Sequence, residues 1–131
     1  MEKNNTSNRK IYYKPSYIYK GIITRIVDGD TIRVSIDLGF NIWIKDVVIR
    51  LARVDSRDDR AAAVIKQYVG NEVLLKVITK DRYGRWIAEV TNIKDQVNLS
   101  DHLISLGVVE VYDISKPKEV KTEKSSNGGS S

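Results

Sequence analysis

The feature that most constrains this chain is a strict alternation, in which Ile32, Val34, Ile36 and Leu38 interleave with Arg33, Ser35 and Asp37. Successive side chains of a strand point to opposite faces, so a period of two implies a strand with one face buried. The flanking sequence supplies partners for it. Tyr17 to Val27 is rich in aromatic and β-branched residues, and Asp28-Gly29-Asp30 then reads as a turn. Gly39 and Asn41 suggest a turn or bulge before Ile42-Trp43-Ile44, and Lys45-Asp46 a second reversal. Val47 to Val54 reads as a further strand, with Arg50 facing away from Ile49 and Leu51. Val73 to Ile78 and Trp86 to Asn92 form a pair around the turn Asp81-Arg82-Tyr83-Gly84-Arg85.

Two short helices are expected among these strands. Ser56 reads as an N-cap with Asp59 three residues on, followed by Ala61, Val64, Ile65 and Tyr68 at helical spacing, and Gly70-Asn71 ends the run. A second helix runs from Asn98, a good cap, through Leu99, Leu103 and Leu106 to Gly107. Five strands, one helix after the third and one at the end predict a β-rich α+β fold: a five-stranded OB-like barrel with two short helices.

The 131 residues suffice for one domain with a real core. The expected division is a flexible basic arm over 1–14, the barrel domain over 15–113 and a disordered charged tail over 114–131. The net charge of +5 sits in the two ends. Lys3, Arg9, Lys10 and Lys14 outweigh Glu2, Lys116, Lys118, Lys121 and Lys124 outweigh Glu119 and Glu123, and the stretch between is balanced. Charged tails more often solvate than bind, so the basic balance says little about a site in the barrel. With no cysteine, disulfides, thiolate metal sites and cysteine nucleophiles are excluded. No apolar run approaches the roughly 20 residues of a membrane helix, so no membrane partner is expected. The polar start lacks a secretory signal, and a cytoplasmic location is expected.

Asp28-Gly29-Asp30-Thr31 taken alone is a hairpin turn, and Asp55 taken alone is a loop or capping residue. Together they place carboxylates at loop ends of one small barrel, where they can converge on a hard cation that prefers oxygen ligands. His102, the only histidine, falls within the second helix, so neither a histidine acid–base pair nor a zinc site is available. Arg50, following Val47, Val48 and Ile49, needs a carboxylate or a phosphate as partner. Arg85 closes a glycine turn that aims it away from the sheet. A salt bridge is the plain reading for each arginine. Two arginines beside a divalent ion are also what phosphodiester hydrolysis asks for, since negative charge grows on the equatorial oxygens and leaving group.

The set VDGDT (27–31), IRLARVD (49–55), DRYGR (81–85) and VNLSDHLISLG (97–107), in this order, resembles the staphylococcal nuclease (thermonuclease) family over residues 18 to 112. The resemblance implies an OB-fold barrel and calcium-dependent cleavage of DNA and RNA, probed best on single-stranded or frayed substrate, by a monomer. By position it implies Asp30 and Asp55 as calcium ligands with the carbonyl of Ser56 as a third, and Asp28 behind them. It implies Arg50 and Arg85 as phosphate-binding, transition-state-stabilising arginines, with Tyr83 and Arg82 beside the bound nucleotide. The spacing, including DLGF (37–40) before a Trp-containing strand, is similar to short nuclease-like proteins of bacteriophages.

Four departures bear on activity. The family reads Asp-x-Pro-Glu, its glutamate orienting or deprotonating the attacking water, where this chain has Asp55-Ser56-Arg57-Asp58. Asp58 thus stands one methylene short at the position of the base, Asp59 being expected to cap the helix, and a displacement of about 1 Å can cost on the order of 100-fold in rate. A surface loop between this position and the helix is essentially absent, which implies a more open site. Two tyrosines expected after the last helix are replaced by Asp113 and Ser115, with Tyr112 nearby but out of register. The long C-terminal helix of the archetype is replaced by the charged tail. The alternative to an enzyme is therefore an OB-fold nucleic-acid-binding module impaired in hydrolysis, using Tyr83, Trp86 and Tyr112 as stacking surfaces. A protein-interaction role would point instead to Trp43 or an exposed edge strand.

Overall fold

The computed structural model describes residues 15–56 and 58–112. The arm over 1–14, Arg57, and Asp113 with the tail over 114–131 lie outside the described residues. The elements are β1 (Ile18–Asp28), β2 (Thr31–Asp37), β3 (Trp43–Leu51), β4 (Val54–Asp55), α1 (Asp59–Ile65), β5 (Glu72–Lys80), β6 (Trp86–Asn92), α2 (Leu99–Ser105) and β7 (Glu110–Val111). A 3-10 turn, Lys66–Tyr68, prolongs α1.

Five strands close a barrel in the order β1-β2-β3-β6-β5, with β5 returning to β1. Every neighbouring pair in it is antiparallel except β3 and β6, which run parallel. A parallel pair requires a crossover, and the stretch carrying β4, α1 and β5 supplies it. The expected β-rich, OB-like barrel with two short helices is the fold observed. Its core follows the alternation: Ile32 and Val34 are fully buried and Ile36 is nearly so, packed with Ile23, Ile49, Leu51, Val73 and Leu75 from the other strands. Leu38 is 42% exposed, because the pattern continues beyond the last layer of the core. α1 adds Ala61 and Ile65, and α2 adds Leu99 and Leu103.

Three local expectations are corrected. Lys45-Asp46 is not a reversal: β3 runs unbroken from Trp43 to Leu51, and the register shifts between Val34↔Val47 and Ile36↔Ile44. Asp46 takes φ +60 there. The shift is a bulge, tolerated because an aspartate accepts left-handed backbone and is here held from β1, its Oδ1 accepting from Thr24 Oγ1 at 2.7 Å. Val47 to Val54 is not one strand either. The chain turns at Ala52-Arg53, with Arg53 at φ +71, and Val54–Asp55 pairs with Glu110–Val111 as a separate two-stranded ribbon.

The third correction concerns the start of α1. Ser56 is not the cap; its Oγ donates to the Asp58 carbonyl at 3.0 Å. Asp58 is the N-cap, its carboxylate accepting from the Arg60 amide at 3.0 Å. A short carboxylate reaches an orphan amide of the first turn well, and aspartate is among the best residues for that task. Asn98 caps α2 as expected, accepting from the Asp101 amide at 2.9 Å.

Gly29 sits where the β1–β2 turn meets the start of α1. A Cβ there would run into Ser56 Oγ and stand 2.7 Å from Ala61 Cβ and 2.8 Å from Ser56 Cβ. Overpacking of this kind costs about 1–3 kcal/mol. Gly29→Ala should therefore lower the thermal midpoint by about 5–10 °C, measurable by circular dichroism; an unchanged midpoint would mean that the two segments do not touch.

Candidate functional site

The site is built on the end of the barrel where the β1–β2 turn meets the β3–β4 turn. Asp30 is only 8% exposed, and every polar atom of its side chain is engaged. Its Oδ1 accepts from Thr31 Oγ1 at 2.8 Å and its Oδ2 from the Ser56 amide at 3.0 Å. Its own amide donates to Asp28 Oδ1 at 3.2 Å, and its carbonyl accepts from the Leu51 amide at 2.8 Å. Burial opposes its ionisation, but the bonds from Asp28, the Ser56 amide and Thr31, with the Arg50 charge, outweigh burial and hold its pKa below the ordinary value. Asp28 moves the other way, raised by burial and by the neighbouring Asp30. Of this pair, Asp30 carries the negative charge more firmly.

Arg50 alternates with Ile49 and Leu51, so it leaves the barrel on its outer face as the strand pattern requires. Its Nη1 donates to the Leu51 carbonyl at 3.0 Å and the Val54 carbonyl at 2.7 Å. Its Nη2 lies 3.4 Å from Asp55 Oδ1 and 3.8 Å from Asp30 Oδ2. One guanidinium therefore brackets the β3–β4 turn and stands between two carboxylates that would otherwise repel each other.

The second arginine arrives on the β5–β6 hairpin. Gly84 takes φ +86, a left-handed turn position that a side chain would strain, and the chain reverses there. Asp81 organises the turn: its Oδ1 accepts from the amides of Tyr83 and Arg85, both at 2.9 Å, and its Oδ2 from Arg85 Nε at 2.7 Å. Burial opposes the ionisation of Asp81, yet the Arg85 amide and side chain and the Tyr83 amide hold its pKa below the ordinary value. Tyr83, 70% exposed, lies between two guanidinium groups, with Arg82 and Arg85 at 5.1 and 5.6 Å from its ring centroid.

These parts meet in one open cleft of about 470 Å³, lined by Arg50, Asp55, Arg82, Tyr83, Arg85, Lys80, Asp81, Ile87 and Tyr112. Of the residues expected at a site, Arg50, Asp55, Arg82, Tyr83 and Arg85 line it, and Asp30, Asp28 and Ser56 stand behind Arg50. Asp58 is not among the lining residues. Its carboxylate faces Arg60, accepting from Nε at 3.2 Å and pairing with Nη2 at 3.1 Å. The Arg60 side chain and amide hold its pKa below the ordinary value. Tyr112, expected only as a stacking surface out of register with the family's tyrosines, lines the cleft, as does Asp81, whose part in it escaped the sequence reading. Tyr112 lies with its ring 5.8 Å from the Arg50 guanidinium, placed by its amide donating to the Arg53 carbonyl at 2.7 Å. Asp81 was read only as a turn residue, although an aspartate four positions before an arginine across a glycine is itself the signal.

The donor chemistry fits a hard cation. Asp30 and Asp55 offer carboxylate oxygens on either side of the same Arg50 nitrogen, with Ser56 tied to Asp30, and an all-oxygen set suits calcium. Among the described residues no group of three or more His, Cys, Asp or Glu side chains is placed to hold a metal ion. A cation here would therefore draw its remaining ligands from backbone carbonyls and water. Residues 49–127 match the family model described as staphylococcal nuclease homologue. No curated protein matches the chain.

Asp81 gives the site a pH signature. Its folded-state pKa is lowered, so the stability it contributes is full above the ordinary carboxylate value and is lost as pH falls through the folded value. Asp81→Asn should lower stability at neutral pH by about 1 kcal/mol, and this gap should close on acidification below about pH 4. Paired denaturant titrations across pH check it; a gap that persists in acid would mean that the ion pair is not its source.

Proposed function

This chain belongs to the staphylococcal nuclease homologue family, and from that premise we propose that it is a calcium-dependent phosphodiesterase acting on DNA or RNA, single-stranded or frayed. The observation that carries the reading is the pairing of Arg50 and Arg85 in one cleft that also holds Asp55 and two tyrosines. A nucleic-acid phosphate entering this cleft would meet two guanidinium forks. In-line displacement spreads negative charge over the equatorial oxygens, and donors already aimed there lower the barrier without reorganising. Arg50, fixed by two backbone carbonyls, and Arg85, fixed by Asp81, are held in that way. Tyr83 and Tyr112 offer rings beside the two arginines for the sugar and base.

A calcium ion held by Asp30 and Asp55, with Ser56 alongside, would supply Lewis-acid charge to the same phosphate. Asp28 would tune that site from behind. By position, Asp58 would take the proton of the attacking water. The engagement of Asp58 with Arg60 favours a second reading, in which the barrel binds nucleic acid but hydrolyses it poorly. A carboxylate that caps a helix and pairs with a guanidinium is a weaker base, because both contacts favour its charged form.

The test is cleavage of a labelled single-stranded oligonucleotide with calcium and with chelator. Calcium-dependent cleavage is expected, and Arg85→Lys should lower kcat by about 100-fold or more with the fold intact by circular dichroism. No cleavage by a folded preparation at any calcium concentration would overturn the enzymatic reading. Asp58→Glu separates the two readings. Glutamate caps poorly, so the variant should melt at lower temperature yet cut on the order of tenfold faster or more. If oligonucleotide binding is salt-dependent and the glutamate variant still does not cut, the binding module stands.

A further inference from the structure

We propose that Arg53 is a positioning residue that sets the place of both Asp55 and Tyr112, although it touches neither the cleft nor a phosphate. Its consequence for activity rests on the nuclease reading; the placement itself does not. Arg53 occupies the turn between β3 and β4 at φ +71, a left-handed conformation unfavourable for a long side chain. Something must hold it there. The side chain is clamped on the outer face of the barrel: Nε and Nη2 donate to the two oxygens of Glu89 at 2.6 and 2.9 Å, and Nη2 also meets Asp101 Oδ1 at 2.8 Å and Asn98 Oδ1 at 3.2 Å.

This is a closed network and not a single surface pair. Asn98 Nδ2 donates to Glu89 Oε1 at 3.0 Å, and Asn98 Oδ1 caps α2 through the Asp101 amide. The contacts with Glu89 and Asp101 raise the Arg53 pKa, so the charge is permanent. Burial opposes the ionisation of Glu89, but Arg53 and Asn98 outweigh burial and hold its pKa low. One residue earlier, the Ala52 carbonyl accepts from the buried Ser100 hydroxyl at 2.6 Å. The Ala52 amide also donates to the Ala88 carbonyl at 3.0 Å, so both residues of the turn are fastened to β6 and both to α2.

What hangs from the turn is the site. The Arg53 carbonyl accepts the Tyr112 amide at 2.7 Å, and the β4–β7 ribbon begins at the next residue, pairing Val54↔Val111 and Asp55↔Glu110. A ribbon of two residues per strand has almost no register of its own. The Arg53 turn and the grip of Arg50 on the Val54 carbonyl are two of the ties that fix its position. Groups that orient the ligands of a metal commonly affect its affinity by 10–100-fold.

The test uses the whole chain and three variants, Arg53→Gly, Arg53→Lys and Glu89→Gln. Glycine accepts the left-handed turn, so Arg53→Gly removes the clamp while relieving the backbone; Arg53→Lys keeps the charge without the two-pronged fork. Amide hydrogen exchange at Tyr112 and Asp55 is read against amides of β1 and β5, together with calorimetric titration of calcium alone. In Arg53→Gly, exchange at Tyr112 should rise about tenfold relative to the barrel, calcium affinity should fall about tenfold, and high calcium should restore most of kcat. Arg53→Lys should fall between this variant and wild type. If Arg53→Gly does not fold, Glu89→Gln, which leaves the turn residue in place, must show the same local pattern. Wild-type exchange and calcium affinity in the variants would overturn the proposal, as would a loss of protection spread evenly over the barrel. Should wild type bind no calcium and cut nothing, the nuclease reading fails, and exchange at Tyr112 still decides the role of Arg53.

Discussion

The structure around the cleft depends on one enclosed cation. The Arg50 side chain is 12% exposed, and a guanidinium so far from water must be compensated on all sides. Two carbonyls, of Leu51 and Val54, accept from one nitrogen across the β3–β4 turn, and Asp30 and Asp55 face the other. The same bonds that neutralise the charge also fold the turn. Remove the arginine, and two carboxylates are left facing each other over a turn with two unpartnered carbonyls. The guanidinium that lines the cleft and the scaffold of Asp30 and Asp55 are thus one object, and neither can move without the other.

The two arginines of the cleft are held by different means. Arg50 is rooted in backbone carbonyls, which cannot follow a substrate. Arg85 is rooted in Asp81, whose second oxygen also fastens the amides of the hairpin turn. A phosphate reaching Arg85 must share the guanidinium with this carboxylate, taking the terminal nitrogens while Nε stays with Asp81. A planar fork with five donors allows that division, and a lysine in its place would not. The cleft therefore combines a rigid wall with a hairpin wall whose own partner sets its angle.

Much of this was legible in the sequence, for reasons that differ by residue. The run from Ile32 to Leu38 reports its strand because burial on one face imposes a period of two. Arg50 could be put on the outer face because Ile49 and Leu51 claim the inner one. Asn98 could be read as a cap because its amide side chain suits little else before an apolar run. What could not be read was non-local or strained. Asp46 and Arg53 take left-handed backbone because of partners 22 and 36 residues away, and no local pattern encodes those. Tyr112, out of register by spacing, reaches the cleft because the Arg53 carbonyl catches its amide. Lys45-Asp46 looked like a reversal because a bulge and a turn use the same residues.

The start of α1 is where sequence and chemistry pull against each other. The position that a nuclease of this family gives to a base is filled here by the residue type that caps a helix best, and it is capping one. To turn toward a water in the cleft, Asp58 would have to release the Arg60 amide and guanidinium together, uncapping a helix only seven residues long. A helix that short draws its stability from its ends and its packing rather than from propagation. Ala61 and Ile65 anchor its buried face, so an uncapped first turn would fray at Asp59 and Arg60 while the second turn stayed docked. Any other engagement of the Asp58 carboxylate would therefore cost a local unwinding at the start of α1, and the ion pair with Arg60 is what resists it.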